Sequence, residues 1–137
     1  MRLALLLAAP LLVSALPPQE RVTPPGEGVL CMGGFIYMAD LLARECYAGQ
    51  DPEFRARLAG YAARYDDYII RNNPDGEAGL AFFKDDEGLT SATRPEVCSS
   101  EYTYFYDNFR ETDPVEMERF IGEQLGRDGP PSYGDCV

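Results

Sequence analysis

The 137-residue chain contains no histidine. Ser-His-Asp and Cys-His catalysis, the usual neutral-pH base and the commonest zinc sites are thereby removed together. Its four cysteines, Cys31, Cys46, Cys98 and Cys136, include no C-x-x-C pair, so no thioredoxin-like redox site, zinc ribbon or c-type haem attachment is expected. Carboxylates, tyrosines, arginines and hydroxyls remain. Asp40 and Glu45 are the acids that interrupt an otherwise apolar stretch. A carboxylate-dependent hydrolase needs one such acid kept protonated by burial and a second left ionised. Asp40 also has Arg44 four residues on, and an i,i+4 ion pair explains it without catalysis. Asp85-Asp86-Glu87-Gly88 gathers hard oxygen ligands, but an EF-hand count from Asp85 puts Leu89 and Thr90 where a ligand and a glycine are required. Gly33-Gly34 lacks the spacing and the lysine of a phosphate loop. No catalytic residue, metal or cofactor is expected; a carboxylate-dependent hydrolase is the alternative.

The aromatic residues offer binding instead. Tyr61, Tyr65 and Tyr68 share one face at helical spacing, and Tyr102, Tyr104, Phe105, Tyr106 and Phe109 crowd a later segment. Tyrosines give large contact area at small entropic cost, and they also fill cores, here in a chain with no tryptophan. Positions on a stripe favour the core reading; Tyr104 lies off its stripe, so its exposure discriminates. Arg57 and Arg64 flank the tyrosine row and could clamp an acidic ligand, or more simply stack on neighbours and pair with acids. The candidate binding residues are therefore Tyr61, Tyr65, Tyr68, Tyr104, Arg57 and Arg64.

These residues must be positioned by helices. In Val29 to Tyr47, Cys31, Phe35, Met38, Leu42 and Cys46 recur at steps of four and three, and most of the circumference is apolar, as in a central, buried helix. A helix over this stretch separates Cys31 from Cys46 by about 22 Å, whereas a disulfide needs Cα atoms within about 7 Å. A Cys31–Cys46 bond is disfavoured. Cys31–Cys98 with Cys46–Cys136, and Cys31–Cys136 with Cys46–Cys98, both remain open. Asp51-Pro52-Glu53 predicts a helix start, and Asn72-Asn73-Pro74 its end. Asp75 to Gly88 predicts a shorter helix with Leu80, Phe82 and Phe83 as its apolar content. Thr93-x-x-Glu96 matches a capping box, after which Cys98, Tyr102, Phe105 and Phe109 continue one helical stripe. A strand competes over Tyr102 to Tyr106, where the composition favours β structure. Asp113-Pro114 opens a last helix, with Met117, Phe120, Ile121 and Leu125 inward and Gly126 as its stop. The expected fold is all-α: a single-domain bundle of four to five helices stapled by two disulfides.

Composition sets the compartment. Met1-Arg2, the apolar run to Val13 and Val13-Ser14-Ala15 read as a signal peptide over residues 1–15, too short to span a bilayer. Residues 16–28, with four prolines and two glycines, read as an extended leader, and residues 29–137 as one helical domain with a disulfide-anchored tail. An even cysteine count in an exported chain suits disulfides. Beyond Ala15 the chain has 11 basic and 23 acidic residues, a formal charge of −12. That charge argues against nucleic acid as a partner; it suits a basic protein partner or, more simply, a solvated acidic surface. Eleven arginines to one lysine suggest a GC-rich genome, and hence a bacterial periplasmic or secreted protein. The expected function is non-catalytic protein or ligand binding, inhibitor-like or as an accessory envelope protein, with no membrane insertion once the signal is removed. A purely structural or stress-protective role is the bland competitor.

Overall fold

The computed structural model describes residues 22–99 and 101–134; the expected signal peptide, most of the leader and Cys136 lie outside the described residues. Among the described residues six helices follow one another: α1 (Val29–Glu45), α2 (Pro52–Asn72), α3 (Gly76–Asp86), α4 (Arg94–Ser99), α5 (Thr103–Glu111) and α6 (Pro114–Leu125). No strand occurs among the described residues, so Tyr102 to Tyr106 is helical from Thr103 onward.

The apolar character of α1 places it at the centre. Val29, Ile36, Leu42 and five further side chains along it are buried, together with Gly33, and α2, α4 and α5 all pack on it. Gly33 lets a neighbour approach closely: a Cβ there would lie 3.2 Å from the Tyr65 ring of α2. α2 buries Phe54, Leu58, Tyr61, Ala62, Tyr65, Tyr68 and Ile69, a stripe at helical spacing. In α3, Leu80 and Phe83 are buried, but Phe82 is 74% exposed. The expected apolar trio is therefore a pair, since adjacent residues on a helix point about 100° apart. Phe120 on α6 likewise turns outward, while Ile121 is buried.

The expected helix through Cys98 and Phe109 is two helices, α4 and α5. The Ser99 hydroxyl donates back to the Pro95 carbonyl at 2.6 Å, the kind of side-chain bond that competes with helix continuation. The chain restarts with the Phe105 amide donating to the Tyr102 carbonyl at 2.9 Å. α4 is held to the end of α1 by the Cys46–Cys98 disulfide (Cα–Cα 5.5 Å) and by Arg94, whose Nε donates to the Glu45 carbonyl at 2.8 Å. That bond excludes the connectivity joining Cys46 to Cys136. No described cysteine is free. Tyr106 then locks α5 down, stacked on Tyr47 at 4.1 Å and edge-on to Phe54 at 5.2 Å.

Hydrogen bonds hold the described part of the tail. The Tyr68 hydroxyl shares its proton between the Arg127 and Gly129 carbonyls, each at 3.0 Å, and the Gly129 amide donates to Asn72 Oδ1 at 3.1 Å. The Ser132 amide donates to the Gly26 carbonyl and the Leu30 amide to the Ser132 carbonyl, so the end of the Pro/Gly stretch packs on the tail. Gly26 (φ 85°) abuts the Pro130 carbonyl, where a Cβ has no room.

The two Asp-Pro helix starts differ. Asp113 Oδ1 accepts from the Val115 and Glu116 amides at 2.8 and 3.1 Å. Asp51, in the left-handed region (φ 42°), makes no cap bond and instead faces Arg110 at 3.7 Å. Glu96 accepts from the Thr93 amide at 3.0 Å, the reciprocal half of the expected capping box. Asp113→Ala should cost about 1 kcal/mol in urea unfolding. Asp51→Gly should cost nothing, because glycine relieves the left-handed backbone. Equal losses at both positions would contradict this difference.

Candidate functional site

α2 presents small side chains, Ala59, Ala62 and Ala63, where a bundle helix would ordinarily present large ones. They leave a concavity of about 460 Å³ between α1, α2 and the α3–α4 region, with Asp40, Arg44, Asp66 and Lys84 around it and Leu89 completing its apolar floor. Asp40 and Arg44 come from one polar strip of α1, Asp66 lies one turn beyond Ala62 on α2, and Lys84 reaches in from α3. Lys84 is the only lysine in the chain.

Two of these groups satisfy each other. Asp66 Oδ1 accepts from the buried Tyr37 hydroxyl at 2.5 Å, and Lys84 Nζ lies 2.8 and 3.0 Å from the two Asp66 oxygens. The same ammonium sits 4.5 Å from the centre of the Tyr37 ring, a favourable cation–π position. Burial, and then the Asp66 carboxylate, drive the Tyr37 pKa upward, so this hydroxyl stays protonated and donating.

Asp40 is less well provided for. Its side chain is only 17% exposed, and its one ion pair among the described residues is to Arg44, Nε to Oδ2 at 3.1 Å. Burial raises its pKa, outweighing the lowering influence of Arg44, Lys84 and Arg55. Arg44 is 58% exposed and makes no other ion pair or hydrogen bond among the described residues. No three His, Cys, Asp or Glu side chains converge as a metal site among those residues.

The tyrosine row is elsewhere and inward. Tyr61, Tyr65 and Tyr68 are all buried, so their rings belong to the core and offer no surface. The Tyr65 hydroxyl donates to Gln124 Oε1, and its pKa is raised by burial. Arg64 pairs with Glu118 at 2.6 Å, and Arg57 lies 5.9 Å from the centre of the Phe54 ring. Arg64 shares a hollow beside α6 with Tyr68 and Arg71, whereas Arg57 lines another, with Phe54 and Arg110. Tyr104 does reach solvent, at 50% exposure. It packs 4.1 Å from Phe105, whose ring stacks on Phe35 of α1 at 4.9 Å and lies 6.3 Å from that of Tyr102. Tyr102 is 47% exposed, so α5 carries an open aromatic face.

Sequence reasoning selected Asp40 and Tyr104 but missed Tyr37, Asp66 and Lys84. The available signals were the lone lysine and the alanine stripe that ends at Asp66. Both need the helix pairing before they converge. No protein-family model matches this chain, and no curated protein or solved structure is similar enough to it to count as a match.

Since folding raises the Asp40 pKa, the native state holds that proton more tightly than the unfolded chain. The carboxyl's contribution to stability is full below the unfolded aspartate value, near 3.9, and is lost as pH rises through the folded value. Side-chain carboxyl NMR should place Asp40 above the ordinary aspartate range, and Arg44→Met should move it higher still. A value at or below the ordinary range would contradict the burial argument. Tyr37→Phe should cost about 1.5 kcal/mol, the scale of a hydrogen bond to a charged acceptor, measured by denaturant unfolding.

Proposed function

We propose that this is an exported, non-catalytic protein that acts by binding a basic protein partner through the aromatic face of α5. The observation that carries this reading is the pair Tyr102 and Tyr104, about half exposed beside Phe105. Half-exposed tyrosines on a packed aromatic base suit a contact surface, because the rings are already ordered and lose little entropy on docking. The same segment carries Glu101, Asp107 and Glu111 against Arg110 alone. A chain of net charge −11 favours encounter with arginine- or lysine-bearing surfaces, and such cations also stack on tyrosine rings.

Export rests on the signal-like residues 1–15 and on the disulfide chemistry, since Cys46–Cys98 persists in oxidising compartments. On this reading Cys31 pairs with Cys136, the one connectivity compatible with both the length of α1 and the Cys46–Cys98 bond. Hydrolysis by a carboxylate pair is disfavoured because Glu45 does not line the concavity with Asp40, and the acid that does, Asp66, is already engaged by Tyr37 and Lys84.

The test is affinity capture from periplasmic or secreted extract with the wild-type domain and with Tyr102→Ala/Tyr104→Ala. A basic protein retained by the wild type at low salt, released at high salt and not retained by the variant is the expected result. Recovery of the same proteins by both forms would overturn the assignment of the face.

A further inference from the structure

The concavity between α1, α2 and α3 lies apart from the aromatic face, and its unused bonding capacity is specific. Asp66, Lys84 and Tyr37 largely consume one another's bonds. Asp40 and Arg44 do not. Asp40 meets Arg44 through Oδ2, leaving Oδ1 without a partner among the described residues, and Arg44 approaches through Nε. A guanidinium held by Nε keeps its Nη1–Nη2 edge for a second, planar acceptor. One acceptor and one forked donor thus sit side by side above an apolar floor that includes Ala59, Ala63 and Leu89.

Charge restricts what can enter. The four charged side chains around the concavity are two acids and two bases, and Tyr37 is neutral, so they balance. A lone cation would meet Lys84 and Arg44, and a lone anion would meet Asp40 and Asp66. Either leaves an uncompensated charge in a partly dry site, which is costly. A ligand carrying both signs preserves the balance. The volume, about 460 Å³, falls in the range of small-molecule sites.

We infer that this concavity binds a small zwitterion of the α-amino acid type, with its ammonium on Asp40, its carboxylate on the outer edge of Arg44 and an apolar side chain over the alanine floor of α2. Neither charged group alone suffices, because each draws on its neighbour's unused bonds.

The probe is L-leucine, titrated into the intact, disulfide-bonded protein and followed by amide NMR shifts. N-acetyl-L-leucine, which lacks the ammonium, and L-leucinamide, which lacks the carboxylate, serve as controls. L-Leucine should saturate, with shifts centred on residues lining the concavity, and each control should bind at least about tenfold more weakly, the scale of one lost charge-assisted hydrogen bond. Asp40→Asn and Arg44→Met should weaken L-leucine binding by a similar factor. Ala63→Leu fills the floor from an exposed position and leaves the charges in place, so it should abolish binding in a protein whose fold is unchanged by circular dichroism. Absence of saturable shifts with L-leucine, equal binding of all three compounds, or undiminished binding by Ala63→Leu would each overturn the assignment.

Discussion

The bond between Cys46 and Cys98 decides where α4 and α5 can go. Cys46 stands one residue past the last turn of α1, and Cys98 lies in a helix of only six residues. A helix that short has no independent stability in water. The disulfide, with Arg94 on the Glu45 carbonyl, therefore converts a marginal turn into a fixed brace. α5 follows directly from it and packs on α1 through Phe105 and on the α1–α2 corner through Tyr106. The separation of 52 residues between the two cysteines gives the cross-link a large effect on the unfolded chain, about 4 kcal/mol on the chain-entropy account.

The same economy governs the rest of the molecule. Without tryptophan, the core is filled by tyrosines: the Tyr61 and Tyr106 hydroxyls are buried with no hydrogen-bond partner among the described residues, while three others find polar ends, Tyr37 on Asp66, Tyr65 on Gln124 and Tyr68 on the tail carbonyls. Each of these three joins elements distant in sequence, so the core is also a set of ties between α1, α2, α6 and the tail. Tyr133 extends the pattern at the surface. Its hydroxyl donates to Glu87 at 2.8 Å, and burial followed by that carboxylate pushes its pKa up to about 12.

The helical class, the central position of α1 and the bounds of α2 were legible because they rest on periodicity and on proline placement, both local properties. The exclusion of Cys31–Cys46 was legible because helix rise alone decides it. The choice between the other two connectivities was not, since it depends on α4 lying at the C-terminal end of α1. The break between α4 and α5 escaped notice because Cys98, Tyr102, Phe105 and Phe109 keep a helical spacing across it, while a serine hydroxyl bonding back to Pro95 leaves no periodic signature. Asp51 and Asp113 looked alike in sequence, yet only Asp113 caps, because Asp51 takes the left-handed conformation. In the candidate sites, Asp40 stood out as an acid on an apolar helix and Tyr104 as a residue off its stripe. Asp66 and Lys84 belong to no motif or periodic stripe, and only the small face of α2 brings them to Tyr37.

The central claim is that the disulfide brace holds the α5 face in place while α1 and α2 form a core that stands without it. Hydrogen exchange of the wild type and of Cys46→Ala/Cys98→Ala, followed amide by amide, measures this directly. The account predicts that amides of α5 lose protection in the variant while those of α2 around Tyr65 keep it. Equal protection of α5 in both proteins, or its loss together with α2 in a single step, would contradict it.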